Sequence, residues 1–366
     1  FTKSIKMRNS LILIFLGLFF LSNAVAQESE KTNEKSSPIK FSGFVDFYYL
    51  YDFNEPFTND RAPFAFAYQR HNELNINLGL IKASYDDGKV FANIALQTGT
   101  YARDNYAAEP AELRNIAEAN VGINLTDKLT FDAGVFPSHI GVESAVNQGC
   151  YNLTRSLMAD GSPYFETGAR LNYNFAPKWN LSALVLNGWQ NIYDNNDNKA
   201  LGSQLTFEPK ENITLNYSTF YGNEQPKGSP ALMRFFQDFY IQYTDLLPNF
   251  SVTAVFDHML QENLTGGNDE VFAFSGMFYY QFEKTGIGAR VEHYNDPTGV
   301  INSTGTPNGF QVTSGSVNFD WNVKENVMWR FEGKSYNSLD AILYTSNPLN
   351  PSKTGALVAT SLSIAF

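Results

Sequence analysis

The chain has 366 residues, a formal net charge of −11, 15% aromatic side chains and only 17% charged ones. That acidic balance argues against nucleic acid as a partner. The single cysteine, Cys150, excludes an internal disulfide, so the fold must be stabilised in other ways.

Residues 1–26 read as a signal peptide. Lys3, Lys6 and Arg8 form a basic start, LILIFLGLFFL (11–21) an apolar centre, and Ala24-Val25-Ala26 a cleavage site. The apolar run is too short to span a bilayer. Removing its basic residues leaves 23 basic against 37 acidic side chains, near −14. Residues 27–40, rich in Ser, Lys and Glu, read as a flexible leader.

After the signal no apolar stretch of about 20 residues follows, so a spanning helix is not expected. Period-two alternation begins at Phe41 instead. In 41–52, Val45, Phe47, Tyr49 and Tyr51 share a face opposite Asp46. In 71–85, Leu74, Ile76, Leu78 and Leu80 oppose Glu73, Asn75, Asn77 and Gly79. In 116–126, Ala119, Val121, Ile123 and Leu125 oppose Glu118, Asn120, Gly122 and Asn124. The pattern repeats at 128–136, 166–175 and 211–222. Further strands are expected at 89–100, 178–189, 200–208, 233–244, 249–260, 270–283, 285–294, 310–322, 326–336 and 355–366.

Sixteen strands result, joined alternately by tight turns such as Asp86-Asp87-Gly88 and by long loops. A soluble sandwich shows the same alternation. Three features favour an antiparallel transmembrane β-barrel over 41–366. Tyr49, Tyr51, Trp179, Trp189, Trp321 and Trp329 lie where interface aromatics belong. The opposite face is rich in Asn, Gly, Ser and Thr. The final strand closes on Phe366. Short turns at the periplasmic side and long loops outside complete the outer-membrane pattern. A barrel of sixteen strands encloses an aqueous channel.

The longest connection in the first half, 137–165, carries apolar anchors at Ile140, Val142, Val146, Tyr151, Leu153, Leu157 and Met158. A loop of this length with anchors is expected to fold into the lumen as a constriction. Its polar residues Glu143, Asn147, Arg155 and Asp160 become candidate pore residues. Alternation aims eleven acids at the lumen: Asp46, Glu73, Glu118, Asp132, Glu166, Glu208, Asp238, Asp257, Glu292, Asp320 and Glu332. Five bases join them: Arg170, Arg234, Arg290, Arg330 and Lys334. The excess of acid predicts a mild cation preference. Two arrangements of the loop charges remain open. In one, Arg290, Arg330 and Lys334 line a wall facing Glu143 and Asp160. In the other, Arg155 and Arg170 pin the loop through Glu143 or Glu166.

The segments RHNELNINLGLIKASY (70–85), NIALQTGTY (93–101), FDAGVFPSHIGVESA (131–145), NLTRSLMADGSPYFETGARLNY (152–173) and ALVLNGWQNI (183–192) resemble the OmpL-like β-barrel porin family of Gram-negative outer membranes, in its Bacteroidota form. The resemblance implies an outer-membrane porin and brings no catalytic residues.

Chemistry beyond diffusion finds little support. His139 near Ser144 lacks a nucleophile-elbow pattern and a third orienting group. No His spacing suits a metal. The loops Asp194–Asn198 and Gly266–Glu270 offer oxygen ligands but not the twelve-residue calcium pattern. No enzyme activity, cofactor or metal is therefore expected. The expected partners are outer-membrane lipid and small hydrophilic solutes or ions. The oligomeric state stays open, a homotrimer included. A sugar-selective channel, with Tyr48, Phe220, Phe236, Tyr240 and Tyr294 as an inward ladder, is one alternative. A non-conducting barrel acting as a scaffold or surface-binding protein is the other.

Overall fold

The computed structural model describes residues 37–366. The expected signal peptide and most of the leader lie outside them. Sixteen antiparallel strands follow in chain order: β1 (Ile39–Asp52), β2 (Leu74–Asp86), β3 (Val90–Thr98), β4 (Ile116–Thr126), β5 (Leu129–Pro137), β6 (Phe165–Ala176), β7 (Trp179–Leu186) and β8 (Ala200–Lys210). The second half comprises β9 (Ile213–Asn223), β10 (Met233–Leu247), β11 (Phe250–Glu262), β12 (Asn268–Gln281), β13 (Thr285–Asp296), β14 (Phe310–Lys324), β15 (Val327–Ser338) and β16 (Thr354–Ala365). Each strand pairs with its sequence neighbours, and β1 pairs with β16 to close the barrel. Closure leaves no edge with unpaired backbone groups, which a bilayer would not tolerate.

The alternation has a direct physical reading on β14. Val317, Phe319 and Trp321 are exposed on the outside, while Ser316, Asn318 and Asp320 are buried inside. An apolar outer band over a polar interior is what a bilayer around a wet lumen selects. Outward aromatics stack near the short-turn end, Trp179 on Phe207 and Trp321 on Trp329. At the irregular end of β10 and in the tight turn before β11, Asp245 and Asn249 adopt positive φ, which Asx residues tolerate.

Several sequence expectations are corrected. In β2 the alternation flips: Asp46 pairs with Leu78 and Phe47 with Ile76, so Asn77 is an extra residue. Its amide donates to Asp46 (3.1 Å) and accepts from the Tyr68 N–H (3.0 Å). Beyond this bulge Leu78 and Leu80 turn inward, and Ile81 takes the outer face at 65% exposure. Trp189 sits inside the long-loop end rather than at the interface, edge-on to Phe220 and Phe236. The loop expected over 101–115 contains a short helix, α1 (Thr100–Asn105). The first strand starts two residues earlier than expected and takes Ile39 and Lys40 from the leader.

Val317 lies on the outer band at mid-strand. Val317→Arg should cost about 2–4 kcal/mol in a bilayer. Urea unfolding in lipid vesicles, followed by tryptophan fluorescence, checks this. An unchanged midpoint would mean that this face does not meet lipid.

Candidate functional site

The segment between β5 and β6 turns into the barrel instead of standing above it. It contains a 3₁₀ turn (Asn147–Gly149) and a one-turn helix, α2 (Leu157–Asp160), capped by the Ser156 hydroxyl accepting from Ala159 N–H (3.0 Å). Its apolar residues Ile140, Leu153, Leu157 and Met158 are buried. At two positions it lies against the wall with no room for a side chain. A Cβ on Gly161 would come within 2.6 Å of the Tyr294 hydroxyl, and one on Gly288 within 2.2 Å of the Tyr151 carbonyl oxygen.

A segment of irregular backbone inside a barrel needs partners for its N–H and C=O groups. Charged wall residues supply them. Arg330 donates to the carbonyls of Asn147 (2.8 Å) and Cys150 (2.9 Å). Arg290 donates to the Thr154 carbonyl (2.7 Å), and Lys334 to that of Arg155 (3.0 Å). Glu332 accepts from Thr154 N–H (2.5 Å) and Glu292 from Leu157 N–H (2.7 Å). These wall residues also compensate one another. Arg330 pairs with Asp320 (2.8 Å), Lys334 with Glu292 (2.9 Å), and Arg290 with Glu292 (3.4 Å) and Glu332 (3.5 Å).

The opposite side of the loop is fixed through His139 and Glu143. Glu143 accepts from Ser156 N–H (3.1 Å) and from the Ser156 hydroxyl, and meets Arg290 at 3.4 Å. His139 donates from Nδ1 to Glu166 (2.8 Å) and from Nε2 to the Thr219 carbonyl (2.9 Å). Both partners only accept, which suits the doubly protonated imidazolium. Burial opposes that charge, but Glu166 and the Thr219 carbonyl outweigh it and hold the pKa above the usual histidine value. Both ring nitrogens are engaged, and the Ser144 hydroxyl accepts from Val146 N–H instead (3.2 Å). The imagined His139–Ser144 pair is not formed. Burial pushes the Cys150 thiol up, which makes it a poor nucleophile.

The sequence-predicted pore residues thus separate into two groups. Arg290, Glu292, Arg330, Glu332 and Lys334 are at most 3% exposed. They lie between loop and wall and do not line an aqueous face across from Glu143 and Asp160. Asn147 is buried with them, its amide donating to the Tyr68 hydroxyl. Glu166 is buried under His139. Asp160 accepts from Tyr164 (2.6 Å). The pinning pairs expected from Arg155 and Arg170 are replaced by others. Arg170 bridges to Asp132 (3.0 Å) and lies over the Phe136 ring, and Arg155 lies over the Tyr164 ring (4.2 Å). Glu118 pairs with Lys82 (2.7 Å), which the bulge at Asn77 turns inward.

The resulting lumen is lopsided. On β10–β16 most inward residues are buried, beneath this loop, the loop after β1 and Trp189. On β2–β8 several remain half-exposed: Lys82, Ser84, Asn93, Glu118, Asn120, Arg170, Asn172 and Thr206. A cavity of about 290 Å³ lies between this wall and the loop, lined by Leu80, Gln97, Glu118, Glu143 and Arg155 among others. Three tyrosines border it: Tyr101, Tyr106 and Tyr164.

Sequence reading missed three contributors. The loop after β1 also folds inward, burying Arg61, Phe64 and Tyr68, with Arg61 donating to the Tyr336 hydroxyl (2.8 Å). Its alternating FAFAY (64–68) was the available signal. Lys82 was hidden by the bulge, and Tyr101 by the unexpected α1. Four of the five proposed ladder aromatics, Tyr48, Phe220, Phe236 and Tyr294, are buried against other residues, so they present no open ladder to solute. Among the described residues no group of three or more His, Cys, Asp or Glu converges for a metal. In the loops considered for calcium, Asp194 contacts Lys199 and Asp197 contacts Lys227.

Residues 38–366 match the family described as "Putative beta-barrel porin-2, OmpL-like". The chain belongs to that family. This porin is an outer-membrane protein through which small solutes diffuse passively. Its fold is shared with solved structures at low sequence identity. The anion-selective porin of Comamonas acidovorans aligns at TM-score 0.59 and 9% identity, covering 90% of this chain and 99% of that one. OmpT of Vibrio cholerae in a trimer form aligns at TM-score 0.59 and 10% identity, covering 90% and 99%. The channel DcaP of Acinetobacter baumannii aligns at TM-score 0.59 and 11% identity, covering 90% and 97%. No curated protein matches the chain in sequence.

Two predictions follow from the loop's attachments. Arg290→Gln leaves Glu143, Glu292 and Glu332 short of a cation, a loss of about 3–5 kcal/mol for a buried pair. Trypsin should then cut at Arg155, which is protected in the wild type; continued protection would mean the loop is held by other contacts. His139 has a raised pKa, so its stabilisation is full below about pH 6.5 and is lost as pH rises through the higher folded value. Protease protection of the loop should fall with rising pH, and His139→Gln should flatten that dependence. An unflattened profile would place the titrating group elsewhere.

Proposed function

We propose that residues 137–165 act as a constriction that leaves an off-centre passage along β2–β8. The lopsided lumen carries this reading: one wall is sealed by the loop, the other keeps half-exposed Asn, Ser, Thr and paired charges. Wall polarity and passage width do the work, and the protein performs no reaction of its own. The acid excess that favours cations is reduced at the passage, because Glu118 and Asp132 each face a base. We therefore read any cation preference as weak. A signal peptide over 1–26 and a leader that ends ahead of Ile39 fit export to the outer membrane. The trimer form of the Vibrio cholerae relative supports a homotrimer as the assembly to test by cross-linking.

Planar-bilayer recording of the refolded protein in KCl tests the constriction. Deleting 141–159 should raise single-channel conductance several-fold, and the reversal potential of the wild type in a salt gradient should stay close to zero. Equal conductance in both proteins would show that the loop does not narrow the passage. No channel steps in either would leave the non-conducting scaffold as the better account.

A further inference from the structure

The cavity beside the loop contains one cation whose hydrogen-bond donors are unmatched. Among the described residues, Arg155 is the arginine whose guanidinium makes no hydrogen bond and no ion pair. Its Nε is buried without an acceptor, and its one contact is with the face of Tyr164. The acids around it are already engaged. Glu118 is held by Lys82. Glu143 accepts from Ser156 and meets Arg290. Asp160 accepts from Tyr164 and balances the Arg155 charge from a distance, without a hydrogen bond between them. A buried polar group left unmatched is costly unless something supplies the missing partner.

The surroundings limit what that partner is. A guanidinium offers parallel donors that match a carboxylate in bidentate fashion. The half-buried ring of Tyr164 borders the same cavity and favours a flat apolar body, with Tyr101, 3% exposed, packed edge-on against it. About 290 Å³ is close to the small end of ligand sites, roughly 300–1,000 Å³, and suits a single ring with a short acidic group. We infer that Arg155 and Tyr164 form a binding station for small organic carboxylates that carry a planar ring. This inference deepens the constriction reading and rests on it, since the cavity lies between the constricting loop and the open wall. It departs from the cation preference suggested by counting lumenal acids, because a station is set by the groups that face it and not by the sum.

Calorimetric titration of the folded full chain in detergent, against a detergent blank, tests the station with benzoate and its neutral analogue benzamide. Benzoate should bind at least about tenfold more tightly than benzamide, a discrimination of about 1.4 kcal/mol. Arg155→Gln should remove that difference, and Arg155→Lys should restore part of it. Equal affinity for the two probes, absence of benzoate binding, or unchanged benzoate binding by Arg155→Gln would overturn the site. The benzoate–benzamide comparison uses only wild-type protein, so it holds even if a variant misfolds. Bilayer recording separates the two claims. Channel steps without benzoate block would keep the pore and remove the station. Calorimetric benzoate binding without channel steps would keep the station and remove the open passage.

Discussion

Peptide groups inside a barrel have to be paired, and most of what is unusual about this lumen follows from that constraint. A strand satisfies its neighbours through the ladder. An irregular segment of nearly thirty residues does not. Once 137–165 enters the barrel, each carbonyl and N–H turned away from water needs a partner. The wall answers with charged side chains that act as substitutes for backbone: Arg290, Arg330 and Lys334 as donors, Glu292 and Glu332 as acceptors. Buried charge is itself expensive, so these residues also occur as pairs of opposite sign. One requirement therefore explains the charge content of β13–β15, its alternation in sign, and the burial of these side chains.

Much of the barrel was legible in the sequence. All sixteen strands lie where alternation put them, with ends displaced by a few residues. The period of two survives because each strand separates lipid from lumen along its whole length. The failures have local causes. An extra residue at Asn77 inverts the second half of β2, and nothing in LNINLGL distinguishes a bulge from an unbroken strand. Trp189 resembled an interface aromatic because tryptophan in a strand-like context usually is one. It lies inside because the chain leaves β7 at Leu186, three residues before it.

The lumen was harder to read than the wall. Alternation identifies which residues point inward, and Arg290, Arg330, Lys334, Glu292 and Glu332 do so. It does not tell whether an inward residue meets water or another segment. That depends on contacts between residues far apart in the chain, such as Arg290 with Thr154, 136 positions away. For the same reason Arg155 and Arg170 were alike in the sequence and differ in the structure. Arg170 faces Asp132 across a β5–β6 register pair, whereas the Arg155 guanidinium lies over the Tyr164 ring.

The wall's grip on main-chain atoms has a consequence for how such a protein can change. The carbonyls of Asn147, Cys150, Thr154 and Arg155 are present whatever side chains those positions carry. The attachment is therefore largely indifferent to the identity of the residues it holds. Where a side chain also projects into the passage, as at position 155, it is free to be exchanged while the segment stays in place. Seating and selectivity are encoded in different atoms of the same residues, so the pore can acquire a new preference without first having to find a new fold.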